Sequence, residues 1–208
     1  MIRYSESLIK AVIFDLGRVI VPFDFHRGYA RIAALTGLSV EEVPARIRPT
    51  GLVEKLESGQ IAPREFVKQL SAVLNLRCTY EEFCEIWSCV FLPDALVPEK
   101  LLEGIAARYR LVLLSNTNAI HFDMIRANYP HLRHFHALVL SHVAGAMKPS
   151  PEIYRQAVEA AGCKPEECFF TDDIPEYIEG ALRYGIDAVQ FHSAAQIEAE
   201  LRRRITWD

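Results

Sequence analysis

Five short apolar runs, each ending on polar residues, constrain this chain more than any other feature. They are KAVIFD (10–15), RLVLLS (110–115), HALVLS (136–141), CFFTDD (168–173) and DAVQF (187–191). Amphipathic segments at roughly 98–108, 118–129, 151–162, 175–184 and 193–204 separate or flank the later ones. Strand and helix alternating in this way predict an α/β chain: a Rossmann-like, doubly wound parallel sheet with helices on both faces. One interval breaks the rhythm. More than ninety residues separate Asp15 from the run at 110, and they show helical spacing, Thr and Ser caps and glycine stops. They predict a helical bundle inserted after the first strand, a cap over the carboxyl ends of the sheet, where parallel α/β sheets place their ligands. The expected division is a core of residues 1–20 and 95–208 and a cap of residues 21–94.

Half of the 208 residues are hydrophobic and 24% are charged, the balance of a globular protein with a real core. A net charge of −4 excludes general affinity for nucleic acid or an anionic membrane, both of which need a basic surface. Cysteines 78, 84, 89, 163 and 168 are odd in number, contain no CxxC and have no zinc-like pairing with histidine. They predict neutral thiols in a reducing compartment. The polar opening MIRYSESLIK lacks an apolar signal core, and no run approaches a membrane span, so the expected location is cytoplasmic. A monomer and a homodimer are both compatible with the composition.

Parallel strands bring their carboxyl ends to one edge. There the sequence places Asp15, then Ser115-Asn116-Thr117-Asn118, then Lys148 in GAMKPSPEIY, then Asp172-Asp173. Asp15, on a glycine turn, can attack an electrophile in line. Ser115 and Asn116 offer donors beside a helix start, which favours phosphate. Lys148 can pair with both phosphate and nucleophile, and Asp172 and Asp173 with Asp15 supply hard oxygen ligands suited to Mg²⁺. Each motif alone has a plainer reading, as a helix cap, an Asx turn or a surface lysine. All four at successive strand ends point to one site.

With these motifs in view, the chain resembles the haloacid dehalogenase superfamily over residues 10–191. FDLGRVIVPFDF, ESGQIAPREF, LSNTN, KPSPEIY and DDIPEYIEGA together resemble its bacterial α-D-glucose-1-phosphate phosphatases. The resemblance implies a Rossmannoid core with a C1-type cap and an aspartyl-phosphate formed on Asp15. It implies Mg²⁺ held by Asp15, the Gly17 carbonyl and Asp172 with Asp173 close by, phosphoryl oxygens held by Ser115 and Asn116, and their charge balanced by Lys148. The implied activity is hydrolysis of a small phosphorylated metabolite, a sugar 1-phosphate foremost.

Gly17 departs from that pattern. Most phosphatases of the superfamily carry there a second Asp, which protonates the leaving oxygen and then activates water. Three consequences follow: a preference for acidic leaving groups such as an anomeric hydroxyl; a substitute side chain, for which Asp24 and His26 are candidates although Asp24 is expected to cap the first cap helix; or a scaffold that binds phospho-ligands without turnover. A 2-haloacid dehalogenase also works without a second Asp, but needs no metal, and the adjacent Asp172 and Asp173 would repel Asp15 unless a cation lay between them. Tyr177 stands where related motifs often have Asn, which bears on the support around Asp173. His121, His131, His134 and His136 are expected in solvent or turns, Trp87 in the cap core, and His26, Arg48 and Glu54 among the residues that set specificity.

Overall fold

The computed structural model describes residues 9–206; all but the last two residues of the polar opening lie outside them. Each of the five apolar runs forms a strand: β1 (Ala11–Phe14), β2 (Arg110–Ser115), β3 (Ala137–Leu140), β4 (Cys168–Asp172) and β5 (Asp187–Gln190). All pairings are parallel, in the order β3-β2-β1-β4-β5. The chain winds outward from β1 in one direction and then from β1 in the other, which places the topological switch point between β1 and β4.

Six α-helices lie between β1 and β2, and the first five form the insertion: α1 (Phe25–Thr36), α2 (Glu42–Ile47), α3 (Leu52–Glu57), α4 (Pro63–Leu74) and α5 (Tyr80–Ser88). Then follow α6 (Glu99–Ala106), α7 (Ala119–Asn128), the short α8 (Ser141–Ala144), α9 (Pro151–Ala161), α10 (Pro175–Tyr184) and α11 (Ala194–Arg204). Their starts were legible as caps. Asp24 accepts from the His26 N–H at 2.9 Å, as expected, and Thr79 and Glu82 close a reciprocal capping box on α5.

β1 is buried on both faces, which is why it reads as an uninterrupted apolar run. Val12 and Phe14 join Leu111, Leu113 and Phe169 beneath α6, α7 and α11. Ala11 and Ile13 join Val112, Leu114 and Phe170 beneath α9 and α10. The inserted helices surround a third cluster, with Ile32, Val43, Leu56, Phe66, Leu70 and Phe83 at its centre and Ile120 of α7 reaching in from below. Trp87 packs there against Phe66 and Phe83, with ring centroids 5.3 and 5.7 Å away. The insertion thus has its own apolar centre and is seated on the sheet's carboxyl edge through α3 on α8 and α5 on α7.

All five cysteines are free thiols, Cys168 buried and the other four half-buried. Burial raises the thiol pKa values of Cys78, Cys84, Cys163 and Cys168, which keeps them neutral. Among the described residues, no helix is long and apolar enough to cross a membrane.

Candidate active site

Register brings the predicted residues together. Phe14 is level with Leu113 of β2 and Thr171 of β4, so the next residue in each strand, Asp15, Leu114 and Asp172, forms the following row. The Asp15 N–H donates to Thr171 O at 3.0 Å, holding the backbone in line one step past the end of β1. Single carboxylate oxygens of Asp15, Asp172 and Asp173 lie within 4.8 Å of one another.

Lys148 enters from the loop before α9 with its side chain buried. Its ammonium Nζ donates to Asp15 Oδ1 at 2.6 Å, Asp172 Oδ2 at 2.5 Å and the Leu114 carbonyl at 3.1 Å. One cation facing three carboxyls leaves an excess of negative charge. Burial pushes the Asp15 carboxyl up to about 7, opposed by the Lys148 charge and assisted by that of Asp172. Asp173 is also raised, by burial first and by Asp172 next, with Arg18 opposing. Three hard oxygen donors, converging and in excess of their counter-charge, fit a divalent cation such as Mg²⁺.

Asn116, expected to hold phosphoryl oxygens, is engaged here with the lysine loop. Its Oδ1 accepts from the Lys148 N–H at 2.8 Å, and its Nδ2 donates to the Lys148 carbonyl at 3.0 Å and to the Tyr177 hydroxyl at 3.2 Å. The side-chain amide thereby fixes the lysine loop. Tyr177 supports that same pair, since its ring lies 5.1 Å from the Lys148 ammonium. Asp173 is tied instead through its carbonyl, which accepts from Gln190 Nε2 at 2.9 Å. Ser115 is buried at the end of β2 and lines the cleft.

The turn after Asp15 brings an aromatic side chain close to Gly17. Arg18 takes a left-handed φ of 56°, and its N–H donates to Val21 O at 2.9 Å, closing a tight loop. The loop folds Phe23 back over Gly17, so that a Cβ there would stand 2.9 Å from Cε1 of the Phe23 ring. Arg18 covers the same ring, its guanidinium 4.9 Å from the centroid. A phenyl ring fills the space an acidic side chain at position 17 would need.

The resulting cleft, about 330 Å³, is lined by Asp15, Gly17, Ser115, Asn116, Lys148 and Asp173, but not by Asp24 or His26. Arg48 and Glu54, expected to set specificity, line a separate cavity of about 180 Å³ within the helical insertion. The cleft at Asp15 is instead walled by Phe23, Phe25, Phe91, His121 and Tyr177, with Glu57 of α3 on the cap side. Sequence reasoning singled out Tyr177 and His121 without placing them in the cleft wall, and missed Phe23, Phe25, Phe91 and Glu57, whose places depend on how the insertion folds back over the sheet.

His121 corrects an expectation directly. It is buried in α7 rather than in solvent or a turn. Asn118 caps α7 through the His121 N–H at 3.0 Å, which sets the first turn facing the insertion. The ring stacks on Trp87 at 5.7 Å and meets Phe91 edge-on at 5.0 Å, while Nε2 lies 3.1 Å from the Trp87 carbonyl. Burial pushes its pKa down to about 4, so the imidazole is neutral at pH 7. His131 and His134 do lie in a 3₁₀ turn over Pro130–His134, and His136 accepts from the Leu111 N–H.

A central parallel sheet with a buried carboxylate just past its first strand, an insertion over the carboxyl edge and converging acids defines a class of α/β hydrolase. The chain belongs to the haloacid dehalogenase-like hydrolases, whose family model matches residues 9–185. It is 29% identical over 203 residues to a D-ribitol-5-phosphate phosphatase of Bacteroides thetaiotaomicron, covering 93% of this chain and 97% of that one. It is also 29% identical over 193 residues to a Mycobacterium tuberculosis phosphatase, covering 86% of each. A family enzyme from B. thetaiotaomicron, solved with magnesium and inorganic phosphate, superposes with a TM-score of 0.80 at 26% identity, over 89% of this chain and 95% of that one.

Proposed function

We propose that this protein is a Mg²⁺-dependent phosphatase of small phosphorylated metabolites that works through an aspartyl-phosphate on Asp15, with hexose 1-phosphates as its preferred substrates. The observation that carries the reading is the buried triad of Asp15, Lys148 and Asp172 at the switch point of the sheet, with Asp173 beside it. Relatives along nearly the whole chain are named phosphatases. Asp15, Asp172 and Asp173, with the Gly17 carbonyl, would hold the metal, which supplies charge neutralisation at the transferring phosphoryl group. Asp15 presents its carboxylate in line. Lys148 and Ser115 hold the phosphoryl oxygens, and Asn116 locks Lys148 in place, so that positioning and electrostatics provide most of the rate.

Asp15, Lys148 and Asp172 are those a phosphoryl-transfer site needs, and the excess of acid disfavours the metal-free dehalogenase reading. With Phe23 over Gly17, no acid stands on the nucleophile's own turn. A proton can then reach the leaving oxygen only from outside that turn, so esters whose leaving oxygen needs it least are favoured, and an anomeric oxygen is one. The aromatic wall offers apolar faces to a sugar ring. Residues 21–94 act as the cap of this site, and the free thiols fit a cytoplasmic setting.

The test is phosphate release from glucose 1-phosphate and glucose 6-phosphate, each with Mg²⁺ and with EDTA. The expected result is Mg²⁺-dependent turnover, far faster on the 1-phosphate, and its loss in Asp15→Asn. Equal rates on both esters would remove the leaving-group argument, and turnover of neither would remove the phosphatase.

A further inference from the structure

An acidic leaving group relieves only the first half of an aspartyl-phosphate mechanism. In the second half a water must lose a proton as it attacks phosphorus, and position 17 has no group to take it. Among the cleft-lining residues, the other titratable groups are committed. Asp15 and Asp173 belong to the acid cluster, and Lys148 is bound to Asp15 and Asp172. His121 has contacts at both ring nitrogens, and the Tyr177 hydroxyl is hydrogen-bonded to Asn116. Arg18 lies over Phe23. Glu57 remains. It is the last residue of α3, it lines the cleft from the cap side, and among the described residues no hydrogen bond or ion pair engages its carboxyl.

The chain holds Glu57 there by a specific contact. Two residues on, Gly59 turns with φ +72°, and its backbone lies so close to the core that a Cβ would stand 2.3 Å from the His142 carbonyl. That approach, open only to glycine, seats the end of α3 against α8 beside the cleft. Burial, with Glu54 adding its charge, pushes the Glu57 carboxyl up to about 7, where it can both accept and give a proton near neutral pH.

Resting on the phosphatase reading, we infer that Glu57 is the acid/base of this enzyme, supplied by the cap in place of the missing group at position 17. In the first step an Asp15 oxygen bonds to phosphorus, the bond from phosphorus to the leaving oxygen breaks, and that oxygen keeps the pair and takes the Glu57 proton. In the second, the Glu57 carboxylate takes a proton from water and the water oxygen bonds to phosphorus. The Asp15–phosphorus bond breaks with its electron pair returning to the carboxylate. Ester and water become alcohol and inorganic phosphate, and Glu57 ends protonated as it began.

The experiment is rapid-quench kinetics of the full chain with Mg²⁺ and 4-nitrophenyl phosphate, whose leaving group needs no proton. Wild type should release nitrophenol without a pre-steady-state burst. Glu57→Gln should release about one equivalent per site and then turn over roughly 10²- to 10³-fold more slowly, with phosphate trapped on Asp15. Acetate should restore part of the slow phase in Glu57→Ala. Wild-type steady-state rates in Glu57→Gln, or the absence of a burst from that variant, would overturn the assignment. Absence of turnover in wild type would instead sink the phosphatase reading beneath it.

Discussion

Replacing Lys148 by methionine removes the ammonium while keeping most of the side chain's volume. The three groups involved are buried, with side-chain exposures of 1% for Lys148, 8% for Asp15 and 1% for Asp172, so solvent screens little of the interaction. The variant leaves two carboxyls facing each other without their shared cation. Removing one partner of a buried pair costs about 3–5 kcal/mol, against roughly 0–1 kcal/mol for an exposed pair. For a chain of this size, about 2–4 °C of melting temperature accompanies each kcal/mol, so Lys148→Met should melt roughly 10 °C below wild type. The assay is thermal unfolding by circular dichroism at pH 7 in EDTA, repeated with Mg²⁺. Mg²⁺ should return more stability to the variant than it adds to wild type, because a divalent cation can replace the lost charge between the acids. A loss below about 1 kcal/mol, or equal stabilisation of both proteins by Mg²⁺, would refute the view that Lys148 is the counter-ion of this cluster.

Two further predictions come from the cleft wall. Gly17→Asp must displace the Phe23 ring and should cost about 1–3 kcal/mol by overpacking. Combining it with Phe23→Ala should cost less than the two changes summed, which chemical denaturation would show. His121 is neutral when folded, with its pKa pushed down to about 4 from an ordinary 6.5. The unfolded state therefore binds more protons between those values, so stability should hold above pH 6.5 and fall by up to about 3 kcal/mol toward pH 4. Urea midpoints across that range should show a smaller fall in His121→Asn than in wild type.

Much of the fold was visible in the residues because strand and helix periods are local. The five apolar runs became the five strands with their ends moved by a residue or so, and Asp24 and Thr79 capped helices as read. The edge that carries the site was legible for a related reason: strand ends in a parallel sheet must meet, so Asp15, Asp172 and Asp173 could be placed together without coordinates. Lys148, expected at a strand end, comes instead from the loop between α8 and α9. The wall of the cleft was not legible. Glu57 stood within ESGQIAPREF, yet α3 has only six residues, and its direction is set by the contact of Gly59 with His142, which no local pattern announces. Glu54, three residues earlier on the same helix, faces the other cavity. Phe23 and His121 were hidden similarly, because their roles come from a turn closing over Gly17 and from α7 docking beneath the insertion.

The central claim is that Asp15 carries the phosphoryl group. Rapid acid quench of enzyme, Mg²⁺ and glucose 1-phosphate, followed by peptide mass spectrometry, measures it directly. Phosphate should be found on the peptide bearing Asp15, lost on treatment with base and absent in Asp15→Asn. Phosphate release that proceeds unchanged in Asp15→Asn, with no phosphorylated peptide in wild type, would contradict the account.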